Sequence, residues 1–323
     1  MVEGNYANGT KFGGMNTLTL ATDYERVFYN RFVVIAGISR SGTSILGKIV
    51  GSLENVVYLF EPAIMRLLPP LAVNSSIDID LVSKVLEGIL FEDYYLQLIQ
   101  GRNLNIKKSE NSFTGNYQQM KAIREKWSKY ERRNDALNDV YAGKFVFALK
   151  ISELHPLLPI LEKIFKGIRV IHIIRNGNAV ISSSLKRGWY SDEYLNCYMT
   201  QLMRQGKPKV PWFVPIEDVE KFCRWNRETR VAYIWRILGK MAMDFGLGNN
   251  NYLELRYEDL IKDPKKVATS CEKLLGSQQT GLTMKHIFAI QNHTVSQHED
   301  HSGSIAAEER PFFEEFMKEL DYL

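Results

Sequence analysis

The sequence predicts an α/β protein in which a parallel β-sheet has helices packed on both faces. Five short apolar runs alternate with segments whose apolar residues recur at helical spacing, a pattern typical of strands buried in a parallel sheet. Two consecutive parallel strands need a long crossover, usually a helix, so the alternation itself indicates this fold class. The predicted strands are Phe32–Ala36, Val56–Phe60, Phe145–Leu149, Val170–Ile174 and Tyr252–Leu255.

The segments between these strands have the patterns of helices. Thr43–Leu53 carries apolar residues at helical spacing, and Asp263 followed by Pro264 is typical of an N-cap and a first helical position. Other predicted helices cover residues 153–165, 177–187, 216–245 and 264–275, and residues 80–138 should form two or three helices with a break near Asn111. Ligands of such sheets bind beyond the carboxyl ends of the strands, so we expect functional residues in the loops that follow strands.

The composition is that of an ordinary globular protein. Of the 323 residues, 45% are hydrophobic and 24% are charged, which is enough apolar mass for a sizeable core. No internal repeat or low-complexity linker divides the chain, so we predict one domain over residues 31–323 after an N-terminal arm over residues 1–30. The net charge of +4 suits an anionic ligand in a pocket but is too small to predict a nucleic-acid partner.

Three features of the sequence favour a cytoplasmic location. Cys197, Cys223 and Cys271 are far apart and form no CxxC pair, which predicts neither a disulfide framework nor a zinc site. The first thirty residues lack the basic start and apolar stretch of a secretory signal. The longest apolar region, Val56–Val73, is interrupted by charged residues and prolines, so we predict no membrane span.

The strongest local signal is the loop Gly37-Ile-Ser-Arg-Ser-Gly-Thr-Ser44, which lies between a predicted strand and a predicted helix. Gly37 and Gly42 have the spacing of a phosphate-binding P-loop, in which backbone N–H groups and the following helix N-terminus bind one anion. Thr43 stands where a nucleoside triphosphatase needs its lysine, and Arg40 supplies a cation inside the loop instead. The pattern therefore predicts a P-loop-like site adapted to another ligand.

Residues 40–44 resemble the 5′-phosphosulfate loop of the sulfotransferases that use 3′-phosphoadenosine-5′-phosphosulfate (PAPS), whose first position is Lys or Arg. The resemblance implies a sulfotransferase that leaves adenosine 3′,5′-bisphosphate (PAP) as product and holds no metal. It also implies that five consecutive residues bind the donor, namely Arg40, Ser41, Gly42, Thr43 and Ser44.

Two later segments extend the resemblance. Arg175 ends the fourth predicted strand and Ser183 follows eight residues on, as in the family's 3′-phosphate element, although Gly177 replaces a common proline. An arginine fork and a helix-face hydroxyl are suitable donors to one phosphate. Tyr257, in Tyr-Glu-Asp-Leu, corresponds to a tyrosine beside the adenine. The family's C-terminal RKG-type motif has no evident counterpart, and His301-Ser-Gly303 is the nearest stretch.

The acceptor side predicts a glutamate base. Phe60-Glu61-Pro62 resembles the carbohydrate sulfotransferases, and we expect it beside the phosphate loop. Lys150, at the end of the third strand, corresponds to a basic residue that approaches the sulfuryl group. The histidine base of phenol and steroid enzymes is replaced by Ser152, and His155 is a poorer candidate. Catalysis is therefore assigned to Glu61, Arg40 and Lys150, with a carbohydrate or other small alcohol as acceptor.

Two other functions remain open. A P-loop kinase of a small molecule would need a lysine at position 43 and a magnesium-binding Asp at a strand end, but the strand ends carry Glu61, Lys150 and Arg175. An inactive nucleotide-binding module would have no need for this set of charged residues. The polar cluster His293, His298, Glu299, Asp300 and His301 could suggest a metal site but is better explained as a solvated loop. The sequence does not assign an oligomeric state.

Overall fold

The computed structural model describes residues 24–74, 77–118, 130–197, 202–291 and 298–323. The strands are β1 (Phe32–Gly37), β2 (Val56–Phe60), β3 (Val146–Lys150), β4 (Arg169–Ile174), β5 (Met203–Arg204), β6 (Val210–Pro211) and β7 (Tyr252–Arg256). The main sheet has five parallel strands in the order β2-β3-β1-β4-β7, and a two-stranded antiparallel ribbon pairs β5 with β6. The parallel sheet confirms the α/β fold class.

Helices cover both faces of the sheet. Alternate residues of β1 belong to different cores, because successive side chains of a strand point to opposite faces. Phe32, Val34 and Ala36 pack into the larger core, whereas Val33 and Ile35 pack into the smaller one. The α-helices are α1 (Tyr24–Phe28), α2 (Thr43–Gly51), α3 (Ile64–Asn74), α4 (Ile79–Ile89), α5 (Leu96–Ile99), α6 (Arg133–Tyr141), α7 (Leu158–Ile164), α8 (Gly177–Leu185), α9 (Asp192–Cys197), α10 (Val219–Arg224), α11 (Arg227–Gly246), α12 (Tyr257–Lys262), α13 (Pro264–Leu275), α14 (Gly281–Gln291) and α15 (Arg310–Glu319).

The sheet order overturns one expectation about the site. Strand β3 lies between β1 and β2, with Ile35 opposite Lys150 and Phe60 opposite Lys150, so Glu61 does not end a strand adjacent to the phosphate loop. The crossover through α2 skips one strand position, and the chain later returns to fill it with β3. Lys150 is therefore between the phosphate loop and Glu61.

Two helix predictions need correction. The helix predicted over residues 216–245 is broken at Trp225, where the backbone is extended. Asn226 then caps α11 by accepting hydrogen bonds from the backbone N–H and the hydroxyl of Thr229, at 2.9 and 2.6 Å. An Asn side chain that satisfies the first turn in this way favours a new helix start over continuation. The helix predicted over residues 153–165 begins instead with a 3₁₀ turn at His155–Leu157, before α7.

Both ends of the described chain contribute helices that the sequence patterns did not predict. Val27 and Phe28 of α1 are buried in the larger core, although these positions belong to the predicted N-terminal arm, whose residues 1–23 lie outside the described part of the chain. At the other end, α14 and α15 follow the predicted last helix. In the ranges that the structure describes, no helix is both long and apolar enough to cross a membrane.

Candidate active site

The phosphate loop connects β1 to α2 through two residues with left-handed backbone conformations. Arg40 has φ 77° and Gly42, the N-cap of α2, has φ 93°. The loop is closed by a hydrogen bond from Ser41 N–H to the carbonyl of Ile38 at 3.0 Å. The first N–H groups of a helix have no partner within it, so those at the start of α2 are available to an anion.

Two buried polar atoms at this loop have no hydrogen-bond partner among the residues that the structure describes. Ser41 is fully buried and its Oγ is unpaired, and the Nε of Arg175 is also buried and unpaired. An unpaired buried donor costs about 1–3 kcal/mol, so such groups need a functional explanation. Both atoms are donors, which fits a bound phosphate or sulfuryl group.

The predicted donor-binding residues converge around this loop. Arg40 Nε donates to Ser183 Oγ at 2.8 Å, and Arg175 Nη1 donates to the carbonyl of Arg40 at 3.0 Å. The guanidinium of Arg175 lies 4.2 Å from the ring centroid of Tyr257. Burial, reinforced by Arg187 and Arg175, lowers the pKa of Arg40. Desolvated cations this close together favour a ligand that carries several negative charges.

Glu61 lies in a second cluster of charged groups. Its backbone N–H donates to the carbonyl of Lys150 at 2.9 Å, and its φ is 49°. Lys150 Nζ donates to Oε1 of this carboxylate, while Arg66 Nη2 lies 3.4 Å from Oε2. The hydroxyl of Ser152 is 3.4 Å from Oε1. Sheet register thus brings the predicted base and the predicted catalytic lysine into direct contact.

The two partners of this contact differ in exposure. The side chain of Lys150 is 4% exposed and that of Glu61 is 29% exposed. Burial lowers the pKa of Lys150, and the carboxylate of Glu61 opposes that shift. The glutamate is therefore the member of the pair that solvent or an acceptor can reach.

His155 is enclosed in the protein, away from solvent. It is 1% exposed, and its ring centroid lies 5.1 Å from that of His172. In the described ranges of the chain, neither ring nitrogen has a hydrogen-bond partner. Burial, reinforced by His172, lowers the pKa of His155 well below its usual range. A neutral, enclosed imidazole is poorly placed to receive a proton from an acceptor.

A sulfotransferase-domain family model matches residues 30–315 of this chain. The chain belongs to the sulfotransferase family. No match is found among curated proteins.

Several solved structures, most of them described as sulfotransferases, are similar to this chain. Sulfotransferase STF9 from Mycobacterium avium is 13% identical with a TM-score of 0.47, and the match covers 93% of this chain and 79% of that one. The sulfotransferase domain from the curacin biosynthetic pathway is 12% identical with a TM-score of 0.44, covering 90% and 97%. Retinol dehydratase, solved with androsterone and the inactive cofactor PAP, is 15% identical with a TM-score of 0.33, covering 90% and 73%.

The sulfotransferase also has a cavity that the sequence analysis did not anticipate. It has a volume of about 460 Å³ and lies between α8 and the segment 298–301. The spacing of Ser182 and Lys186, which puts them on one helix face, was an available signal. The cavity is lined by Arg175, Ala179, Ser182, Ser183, Leu185, Lys186, His298, Glu299 and His301.

Four of the five residues of the C-terminal polar cluster, namely His298, Glu299, Asp300 and His301, lie in the described part of the chain. His293 lies outside the described residues. Among the described residues, no three His, Cys, Asp or Glu side chains are grouped so that they could hold a metal ion. His301, which the sequence suggested was part of a solvated loop, is only 8% exposed.

We expect Gly42→Ala to destabilise this sulfotransferase more than a glycine replacement at an open site. An added Cβ at Gly42 would lie 2.5 Å from Cδ2 of Tyr257, and the φ of 93° is unfavourable for alanine. The left-handed backbone should cost about 1–2 kcal/mol and the clash about 1–3 kcal/mol more. Unfolding in denaturant measures the total loss in the free energy of unfolding.

Gly248→Ala is the matched control for that experiment. Gly248 also has a positive φ, 72°, but a Cβ there would meet nothing within 4 Å. It should therefore lose only the backbone contribution. Equal losses in the two variants would show that contact between residue 42 and Tyr257 does not constrain the loop.

Proposed function

We propose that this sulfotransferase transfers a sulfuryl group from PAPS to the hydroxyl of a carbohydrate or another small alcohol. The observation that carries the proposal is the convergence of Arg40, Arg175, Ser183 and Tyr257 at the phosphate loop. These residues come from three separate stretches of sequence. Their assembly beside two unpaired buried donors supports a nucleotide that carries anionic groups at two positions.

The proposed roles on the donor side follow from the positions of the groups. Residues 41–44 would bind the 5′-phosphosulfate through the N–H groups that begin α2 and the unpaired Ser41 hydroxyl. Arg175 and Ser183 would bind the 3′-phosphate. The oxygen of Ser183 accepts from Arg40 Nε, so its own hydrogen can be donated to an anion. The ring of Tyr257 would lie beside the adenine.

The proposed chemistry is a single in-line displacement at sulfur. Glu61 takes the proton from the acceptor hydroxyl, whose oxygen forms a bond to sulfur as the bond from sulfur to the phosphate oxygen breaks. The products are a sulfate ester, PAP and the proton on Glu61. Lys150 and Arg40 stabilise the charge that develops on the sulfuryl oxygens and the leaving oxygen.

A cavity beside β2 supports a polar, ring-shaped acceptor. It has a volume of about 160 Å³, and Phe60, the residue before the proposed base, is part of its wall. Aromatic rings together with amide and hydroxyl side chains are suited to a sugar, which has both apolar faces and many hydroxyl groups. The side chains of this kind are Tyr58, Phe60, Asn103, Asn105, Ser112, Thr114, Tyr117 and Gln118.

The kinase alternative is less well supported. Thr43, buried at the start of α2, occupies the lysine position of a triphosphatase loop. The residues at the carboxyl ends of β2, β3 and β4 are Glu61, Lys150 and Arg175, so the strand ends around the loop offer no Asp for magnesium. The inactive-module alternative leaves the contact between Lys150 and Glu61 without a purpose, because burying a lysine is costly.

The proposal is tested by incubating the protein with ³⁵S-labelled PAPS and panels of sugars, phenols and lipid alcohols. Transfer of label to at least one hydroxyl acceptor is expected. In parallel, PAP should raise the melting temperature by several degrees at saturating dose, and ATP with magnesium should not. Stabilisation by ATP and magnesium alone would favour the kinase, and stabilisation by PAP without transfer to any acceptor would favour the inactive module.

We also expect transfer to need no divalent metal. Arg40 and Lys150 supply the positive charge that magnesium supplies in kinases. Turnover should therefore be unchanged after EDTA treatment and dialysis. A complete loss that magnesium or zinc restores would contradict this mechanism.

A further inference from the structure

The segment that closes the 460 Å³ cavity is anchored by polar contacts. His301 donates its backbone N–H to Asn178 Oδ1 at 3.0 Å, and its Nε2 lies 2.7 Å from Ser182 Oγ. Asp300 accepts from the N–H and the hydroxyl of Ser302, at 3.0 and 2.8 Å, and from the side-chain amide of Asn178 at 3.3 Å. His301 is thus fixed against the face of α8 that also carries Ser183.

The groups around this cavity are mainly hydrogen-bond donors. Arg175 contributes a buried Nε without a partner, and Ser183 can donate because its oxygen already accepts from Arg40. Lys186, exposed at the rim, adds a cation one turn beyond Ser182. The carboxylate of Asp300 is already engaged by Ser302 and Asn178. That of Glu299 is exposed at the rim.

We propose that His301, acting through Ser182, makes this sulfotransferase select a nucleotide with a 3′-phosphate. The inference rests on the proposed use of PAPS and adds two residues, Ser182 and His301, to which no role in donor binding has been assigned above. With a phosphate in the cavity, His301 donates from Nε2 to Ser182 Oγ. The hydroxyl hydrogen of Ser182 then points to the phosphate, beside those of Ser183 and Arg175. The histidine is a positioning residue, because it acts on the ligand through the serine.

Truncating the ligand separates this role from a structural one. PAP and adenosine 5′-monophosphate (AMP) differ only in the 3′-phosphate. Removing a group that recognises this phosphate should therefore weaken the binding of PAP alone. Calorimetric titration should show that His301→Ala weakens the binding of PAP by about tenfold, which corresponds to the loss of one hydrogen bond to a charged group. Its affinity for AMP should match that of the unmodified protein.

Ser182→Ala provides the second variant. This variant removes the hydroxyl but keeps residues 298–301 and the hydrogen bond from His301 N–H to Asn178, so it should fold even if His301→Ala does not. It should show the same selective loss for PAP. Lys163 is an exposed lysine of α7 that does not line the cavity. Lys163→Ala controls for a general loss of positive charge and should change neither affinity.

The outcomes separate this inference from the proposed function. If the unmodified protein does not prefer PAP to AMP, the use of PAPS is contradicted and this inference fails with it. If the protein prefers PAP and that preference persists in Ser182→Ala and in folded His301→Ala, only the inference is overturned. Equal losses of affinity for PAP and AMP would also overturn the inference, because they would indicate that His301 and Ser182 only maintain the shape of the cavity.

Discussion

Glu61→Gln is expected to lower kcat by about 10²–10⁴-fold while leaving the affinity for PAP nearly unchanged. The amide keeps the size of the side chain and an oxygen that can accept from Lys150, but it does not take up a proton at neutral pH. The carboxylate is the more exposed partner of its pair, and β3 separates the strand before it from the strand that leads into the phosphate loop. Donor binding should therefore be insensitive to this change.

The measurement is steady-state transfer of ³⁵S together with calorimetric titration of PAP. Glu162→Gln removes an exposed carboxylate from α7 and should behave as the unmodified enzyme. His155→Ala should reduce kcat far less than Glu61→Gln, because its imidazole is enclosed. A nearly normal Glu61→Gln beside an inactive, folded His155→Ala would instead support a phenol-type mechanism.

The contact with Lys150 requires that the Glu61→Gln variant be assayed at several pH values. Burial lowers the pKa of Lys150 and the carboxylate of Glu61 raises it, so removing this carboxylate should lower that pKa further. Lys150 would then lose its proton at a lower pH in the variant than in the unmodified enzyme. A loss of kcat throughout the pH range indicates a missing base, whereas a loss confined to high pH indicates a missing lysine charge.

The elements that the sequence predicted well depend on local patterns. Strands β1 and β2, the phosphate loop and the start of α13 each carry their signal within a few residues, as apolar runs, glycine spacing or an Asp-Pro cap. The eight-residue step from Arg175 to Ser183 likewise lies within one strand end and the following helix. These elements can be predicted because residues close together in the chain determine their backbone geometry.

The contact between Glu61 and Lys150 could not be predicted in the same way. The two residues are far apart in the chain, and they meet because β3 pairs with both β2 and β1. A strand sequence carries little information about which neighbour it will select, since all central strands of a parallel sheet are similarly apolar. The expected position of Glu61 beside the phosphate loop was wrong for this reason.

The burial of His301 could not be predicted for a related reason. Its segment has no helical or strand periodicity, and its burial depends on hydrogen bonds to Asn178 and Ser182, more than 100 residues earlier. Only the packing of the C-terminal segment against α8 shows that these groups share a cavity with Arg175. Polar contacts over such separations leave no local signal in one sequence.

The second large effect is expected for Arg175→Ala, which should weaken PAP binding by about 1.5–3 kcal/mol, or roughly 10–150-fold. Arg175 contributes a charged donor and also binds the carbonyl of Arg40 at 3.0 Å and stacks on Tyr257. Ser183→Ala removes a neutral hydroxyl and the acceptor of Arg40 Nε, and should cost about 1 kcal/mol. Calorimetric titration with PAP measures both variants.

These contacts of Arg175 predict how its loss should divide between ligands. The hydrogen bond from Arg175 to the carbonyl of Arg40 supports the phosphate loop. Arg175→Ala should therefore weaken the binding of PAP and, slightly, that of AMP. Ser182→Ala should weaken the binding of PAP alone. Arg224→Ala, whose exposed side chain pairs with Glu220 on α10, is the matched control and should change neither affinity. Unchanged binding of PAP by a folded Arg175→Ala variant would refute the assignment of this arginine to the 3′-phosphate. A 3′-phosphate in the 460 Å³ cavity would then have to be bound without a contribution from Arg175, although this arginine lines the cavity.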